Sequence, residues 1–166
     1  MIEGQDERDA MLAALYGDLR RAAARLLRRE APYLTMQPTE LVNEAALRVL
    51  KLDQMEWTDR QHFFATGARI LRQAMIDEIR RKKSMKRQPV TIQSPDEGEE
   101  VDAEALDDAL TRLDSVSPDL AQIVEMRFFV GLGIEEIAAV TQISESTIKR
   151  RWKTARLWLA SEMLAA

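Results

Sequence analysis

The 166 residues contain no cysteine, which excludes disulfides and cysteine-ligated zinc. A single histidine, His62, leaves a histidine-based catalytic triad or a multi-histidine metal centre without its parts. Proline and glycine are scarce, at 5 and 6, and no long alternation of Val, Ile and Thr marks a sheet, so the expected class is all-α. Neither a secretory apolar core nor an apolar span of about 18 residues is present, and the start MIEGQDERDA is polar and acidic. A cytoplasmic protein without membrane insertion is expected. No convincing nucleophile motif, phosphate loop or metal-ligand cluster occurs, so no cofactor and no metal are expected and an enzyme acting on nucleic acid is disfavoured.

What is abundant is charge, and its distribution matters more than its sum. The net charge of −4 argues against a nucleic-acid binder. Residues 1–87, however, carry 17 Lys and Arg against 13 Asp and Glu, residues 88–125 carry 1 against 11, and residues 126–166 carry 6 against 4. An acidic middle therefore separates two mildly basic ends. Two small helical domains, 1–87 and 106–166, joined by a flexible acidic linker at 88–105, are expected.

The run Gly133 to Trp158 reads as two short helices and a turn. Ile134, Ile137 and Ala138 give the first an apolar stripe, with Glu135 and Glu136 outward. Ser144 can cap the second, and Ile143 and Ile148 flank it as a hydrophobic staple. From that start Ile148, Trp152, Ala155 and Leu159 share one stripe, while Ser146, Lys149, Arg150 and Lys153 share another. That is the pattern of a helix-turn-helix, whose second helix enters the DNA major groove; the alternative is an amphipathic hairpin with a solvated basic face.

In chain order, Ala10 to Arg29 predicts a helix with Leu12, Leu15, Leu19, Ala22 and Leu26 inward and arginines outward. A second helix starts near Pro38, with Leu41, Ala45, Val49 and Leu52 inward and Glu40, Asn43, Glu44 and Arg48 facing away. Trp57 to Phe64 puts three aromatics near the next helix start, suited to core anchoring or to stacking on unstacked bases. The helix from Ala65 to about Arg87 buries Ala68, Leu71, Met75 and Ile79, and its other stripe reads Arg69, Arg72, Arg80 and Lys83, suited to phosphate contact. Residues 88–105, with two prolines and a dense acidic run, predict either a solvating spacer or a polyanion that occupies a basic groove meant for nucleic acid. Leu106, Leu110 and Leu113 begin a new stripe. Ser117-Pro118-Asp119 then opens a helix with Leu120, Ile123, Val124 and Phe128 inward, ended by Gly131 and Gly133. Four helices thus make the C-terminal domain.

Taken together, the chain resembles a bacterial sigma factor of the extracytoplasmic-function (ECF) type, which keeps only sigma regions 2 and 4. GLGIEEIAAVTQISESTIKRRWKTARLWL looks like region 4, ELVNEAALRVL like the region 2.2 helix, and HFFATGARILRQAMIDEIRRKKSMKR like regions 2.3 and 2.4. The resemblance covers about nine-tenths of the chain in the expected order. It implies core RNA polymerase, through its β′ clamp and β flap, and promoter DNA as partners, with an anti-sigma factor or a Ser/Thr kinase as a controller. Glu40, Asn43 and Glu44 would contact the clamp. Phe63, Phe64, Arg69, Arg72 and Gln73 match −10 capture and melting positions, with Arg80, Arg81, Lys82 and Lys83 on phosphates. Ser144, Ser146, Thr147, Lys149, Arg150 and Lys153 would serve the −35 element.

Three positions depart from the family pattern. Gln142 replaces a glycine common in the turn, which requires a non-glycine residue in an unusual backbone or a different turn. Thr66 stands where many relatives have tryptophan. Gln37-Pro38-Thr39 stands where many carry acidic residues, and a phosphate on Thr39 would restore that charge at a helix N-terminus. The plainer reading is that Thr39 helps start the helix. A free-standing helix-turn-helix regulator is the alternative function, and it would need dimerisation and a palindromic site.

Overall fold

Apolar residues at three-to-four spacing, uninterrupted by proline, build the long helix α1, Arg60–Lys83. A computed structural model describes residues 60–83, 91–96 and 100–165, together with 9, 10, 13, 16, 17, 20, 40, 43, 44, 47 and 48, which are all helical. The expected stripe of α1 is confirmed, since Ala68, Leu71, Met75 and Ile79 are all buried. The helix begins five residues before the expected Ala65. Phe64 is consequently inside the helix and 4 % exposed, a core residue rather than an aromatic ahead of it.

The expected linker has structure of its own. Strand β1, Thr91–Gln93, pairs antiparallel with β2, Glu100–Asp102, in the register Thr91 to Asp102, Ile92 to Val101 and Gln93 to Glu100. Acidic composition argued for a spacer, but the β-branched Thr91 and Ile92 suit a strand, and Ile92 is fully buried in the core. Strand β2 runs straight into helix α2, Ala103–Val116, whose N-terminus is capped by Asp102 Oδ1 accepting from the Ala105 backbone N–H at 2.9 Å.

Helix α2 buries Ala103, Leu106, Ala109, Leu110 and Leu113. Ser117 joins it to α3, Pro118–Glu125, and its backbone closes α2 by donating to the Leu113 carbonyl at 2.7 Å. Its side chain makes no cap bond to α3, unlike the expected Ser117 cap, so the opening of that helix rests on Pro118 at N1 and Asp119 in the first turn. Helix α3 continues as one π-helical segment, Met126–Val130, before Gly131 at φ 82° ends it in the left-handed region. All five residues of that segment are buried.

Helices α4, Ile134–Thr141, and α5, Glu145–Ala165, complete the four C-terminal helices. Helix α1 packs against α2, α3, the π segment and α4, so its apolar residues and those of the C-terminal helices form one continuous core. Burying Leu106, Leu110 and Leu113 is worth about 1.5–3 kcal/mol each by transfer from water.

Candidate nucleic-acid interface

Three surfaces hold the expected site residues. The first is the helix-turn-helix. Glu136 reaches back so that its Oε1 accepts the Gly133 N–H at 3.1 Å, holding the start of α4. Gln142 ends α4 at φ 57° and ψ 33°, so the turn keeps the left-handed backbone and a non-glycine residue carries it. Ser144 caps α5, its Oγ accepting the Thr147 N–H at 3.3 Å and donating to Thr147 Oγ1 at 2.9 Å. The staple forms as expected, with Ile148 fully buried and Ile143 packed against the core.

Helix α5 divides cleanly from that start. Ile148, Trp152, Ala155 and Leu159 are buried, whereas Ser146, Lys149, Arg150 and Lys153 are exposed. Thr147 is half-buried between them. Lys149, Arg150 and Lys153 form a cationic face about one to two turns from the helix start, positioned for an anionic groove.

The inner face of α5 is fixed by a residue that sequence reasoning missed. Asp96, in the turn after β1, accepts from Trp152 Nε1, from the Arg127 guanidinium and, at 3.2 Å, from Arg156 Nη1. Burial alone raises its carboxyl, but the indole N–H and the two guanidiniums more than reverse this and hold it below the usual carboxylate range. Arg127 also stacks 5.0 Å from the Trp152 ring centroid and donates to the Leu132 carbonyl at 3.1 Å. Asp96 lies in the stretch read as a flexible acidic linker, and nothing local named partners dozens of residues later.

The second surface is the arginine stripe of α1. It was expected to face outward, and the structure corrects this for Arg72, whose side chain is 8 % exposed. Its Nε donates to Asp107 Oδ1 at 2.7 Å, Nη2 to the Asp107 carbonyl at 2.8 Å and to Thr111 Oγ1 at 2.9 Å, and Nη1 to Glu125 Oε2 at 3.4 Å. Arg69 Nη2 meets Asp114 Oδ1 at 2.6 Å, and Arg80 Nη2 meets Asp107 Oδ2 at 3.2 Å. The physical reason is the acidic face of α2, which lies against this stripe and needs cations to be buried there. Gln73 is exposed, and Arg81 pairs with the buried Glu78. The side chains of Phe63, Lys82 and Lys83 lie outside the described residues, although their backbone is part of α1.

The third surface is a helical face at 40–48. Glu40, Asn43, Glu44 and Leu47 recur at helical spacing, and Leu47 is 59 % exposed among these polar neighbours. Sequence reasoning named the three polar residues and passed over Leu47, a large exposed apolar residue on the same face. Asn43 Oδ1 accepts from the Tyr16 hydroxyl at 2.9 Å. Arg48 bridges Glu44 at 2.8 Å and Asp77 of α1 at 3.0 Å, which ties this face to α1. Thr39 lies outside the described residues.

Among the described residues, no group of His, Asp and Glu is arranged to hold a metal ion, and no helix is long and apolar enough to cross a membrane. The family model described as ECF sigma factor matches residues 2–165. Comparison with curated proteins and with solved structures gave no match.

Proposed function

The chain belongs to the ECF sigma factor family, and from that premise we propose how its surfaces divide the work of promoter-specific initiation. Members of the family are transcription initiation factors, not enzymes, and their partners are RNA polymerase and promoter DNA. In this reading residues 1–87 act as sigma region 2, residues 88–105 as the tether and residues 106–166 as region 4.

Glu40, Asn43 and Glu44, with Leu47 added, dock on the β′ clamp, and region 4 approaches the β flap. Phe63, Arg69, Arg72 and Gln73 act on the −10 element, with Arg80, Arg81, Lys82 and Lys83 on its phosphates, while Phe64, expected beside them, stays in the core. Ser144, Ser146, Thr147, Lys149, Arg150 and Lys153 serve the −35 element. The observation that carries the reading is α5, where an exposed cationic face stands opposite a buried one within a capped helix-turn-helix.

Reconstituted transcription with core polymerase on a genomic promoter library tests it. Lys149→Ala and Arg150→Ala should each lower −35-dependent initiation by about 5- to 50-fold, the loss of one phosphate or base contact, while polymerase binding is kept. Loss of polymerase binding in those variants would contradict the division of labour.

Control is assigned to Thr39. The Gln37-Pro38-Thr39 run lacks acidic side chains, and a phosphate there adds negative charge beside Glu40 at the start of the docking face. A Ser/Thr kinase would then set polymerase affinity, with an anti-sigma factor as the alternative controller. Thr39→Glu should bind core polymerase more tightly than Thr39→Ala; equal binding rejects the switch.

A further inference from the structure

Helix α5 opens on an acid. Glu145 is its first residue, it is exposed, and among the described residues it has no hydrogen-bond or ion-pair partner. At four-residue spacing Glu145, Lys149 and Lys153 follow one line along the helix, so the carboxylate heads the cationic face given to the −35 element. Glu145 and Lys149 also border one open groove, whose far wall is the start of α4 from Gly133 to Glu136. An acid four residues ahead of a lysine is the favourable order for a pair within a helix, yet no ion pair joins these two. Glu136, on the other wall, is engaged by the Gly133 N–H, whereas Glu145 has nothing to accept from.

A carboxylate at that place is repelled by the phosphates that the neighbouring cations attract. It favours DNA only where a base donates to it. In the major groove the donors are the N4 amine of cytosine and the N6 amine of adenine. Adenine carries the N7 acceptor beside its amine, which repels the second carboxylate oxygen, whereas cytosine has no acceptor on that edge. Guanine and thymine turn acceptors toward the groove, so either would leave like partners face to face. The guanine paired with a cytosine presents O6 and N7 to a cation one turn away. We propose that Glu145 is a specificity-determining residue for the −35 element, accepting from the N4 amine of a cytosine while Lys149 donates to the guanine of the same or the next base pair. The inference rests on the assignment of α5 to the −35 element and names the base pair that its first turn selects.

The test is initiation by core polymerase with the full chain on a promoter library randomised across the −35 element. Wild type should select cytosine at one position by about tenfold over the other bases. Glu145→Gln should move that choice to adenine, whose N6 and N7 match the acceptor and donor of the amide. Glu145→Ala should lose the preference at that position alone. The same base preference in wild type and Glu145→Ala overturns the proposal and leaves the assignment of α5 standing.

Glu145 also lies in the first turn, where negative charge stabilises a helix. That role alone predicts that both variants weaken initiation on every −35 sequence alike. Binding separates the two roles. Polymerase carrying Glu145→Ala should bind a fluorescein-labelled promoter duplex with the selected cytosine about tenfold more weakly than wild type does. With thymine at that position it should bind as tightly as wild type or more so, because the repulsion has gone. Equal weakening on both duplexes overturns base reading. A wild-type chain that joins core polymerase but selects no −35 sequence rejects the assignment of α5, and this inference with it.

Discussion

Two carboxylates in similar company answer burial in opposite ways. Asp96 is tied by an indole and two guanidiniums and ionises more readily than usual, whereas burial holds the Glu125 carboxyl above its usual range even though Arg72 and Arg69 pull it down and Asp114 adds a little to the rise. The linkage signs follow. Asp96 gives up protons more easily folded than unfolded, so its contribution is present above the ordinary aspartate value near about 4 and is lost as pH falls through its lower folded value. Glu125 binds its proton more tightly folded, so stability falls as pH rises from the ordinary glutamate value near about 4.3 to its raised folded value. Urea unfolding across this range should therefore show Glu125→Gln removing the decline on the rising-pH side. An unchanged profile would mean that Glu125 does not titrate there. These two residues were not legible in the sequence, because an acidic residue reads as surface until its cationic partners, far along the chain, are brought to it.

At the scale of elements, the sequence was most readable where signals were local. The α5 cap at Ser144 and its buried stripe through Leu159 depend on spacing within a few residues and were found as expected, while α4 runs one residue past the expected Val140 and Gln142 takes the unusual backbone, one of the two geometries left open for that turn. The β1–β2 pair escaped notice because an acidic run outweighed two β-branched residues, and the π segment because no local pattern distinguishes it from α-helix. Gln142 supplies a prediction. Its φ of 57° penalises any side chain with a Cβ, so Gln142→Gly should raise stability by up to about 1 kcal/mol. Thermal unfolding checks the gain, and −35-dependent transcription should be retained because Gln142 is not among the cationic side chains of α5.

For the whole molecule, composition suggested two helical domains, and the all-α class is what the structure has, with one small antiparallel pair added. Domain boundaries read from charge could not foresee that α1 shares a core with the C-terminal helices, since apolar stripes declare that they are buried but not against what. The shared core has a cooperative consequence. Urea transitions followed by tryptophan fluorescence and by far-ultraviolet circular dichroism should coincide in the free chain. Two separated transitions would show that the N-terminal and C-terminal helices unfold independently.

The π segment Met126–Val130 can be viewed as a matter of chain length. The Gly131 N–H reaches back five residues to the Met126 carbonyl at 2.9 Å, one residue further than an α-helix spans. It therefore holds one residue more than the same turn of α-helix would, and losing that residue would turn everything beyond it by about 100° relative to α3. Phe128 would leave the Trp152 ring, now 6.0 Å away between centroids, and the turn into α4 would leave from another side of the bundle. A descendant lineage can therefore vary the residues of this turn far more freely than it can vary their number.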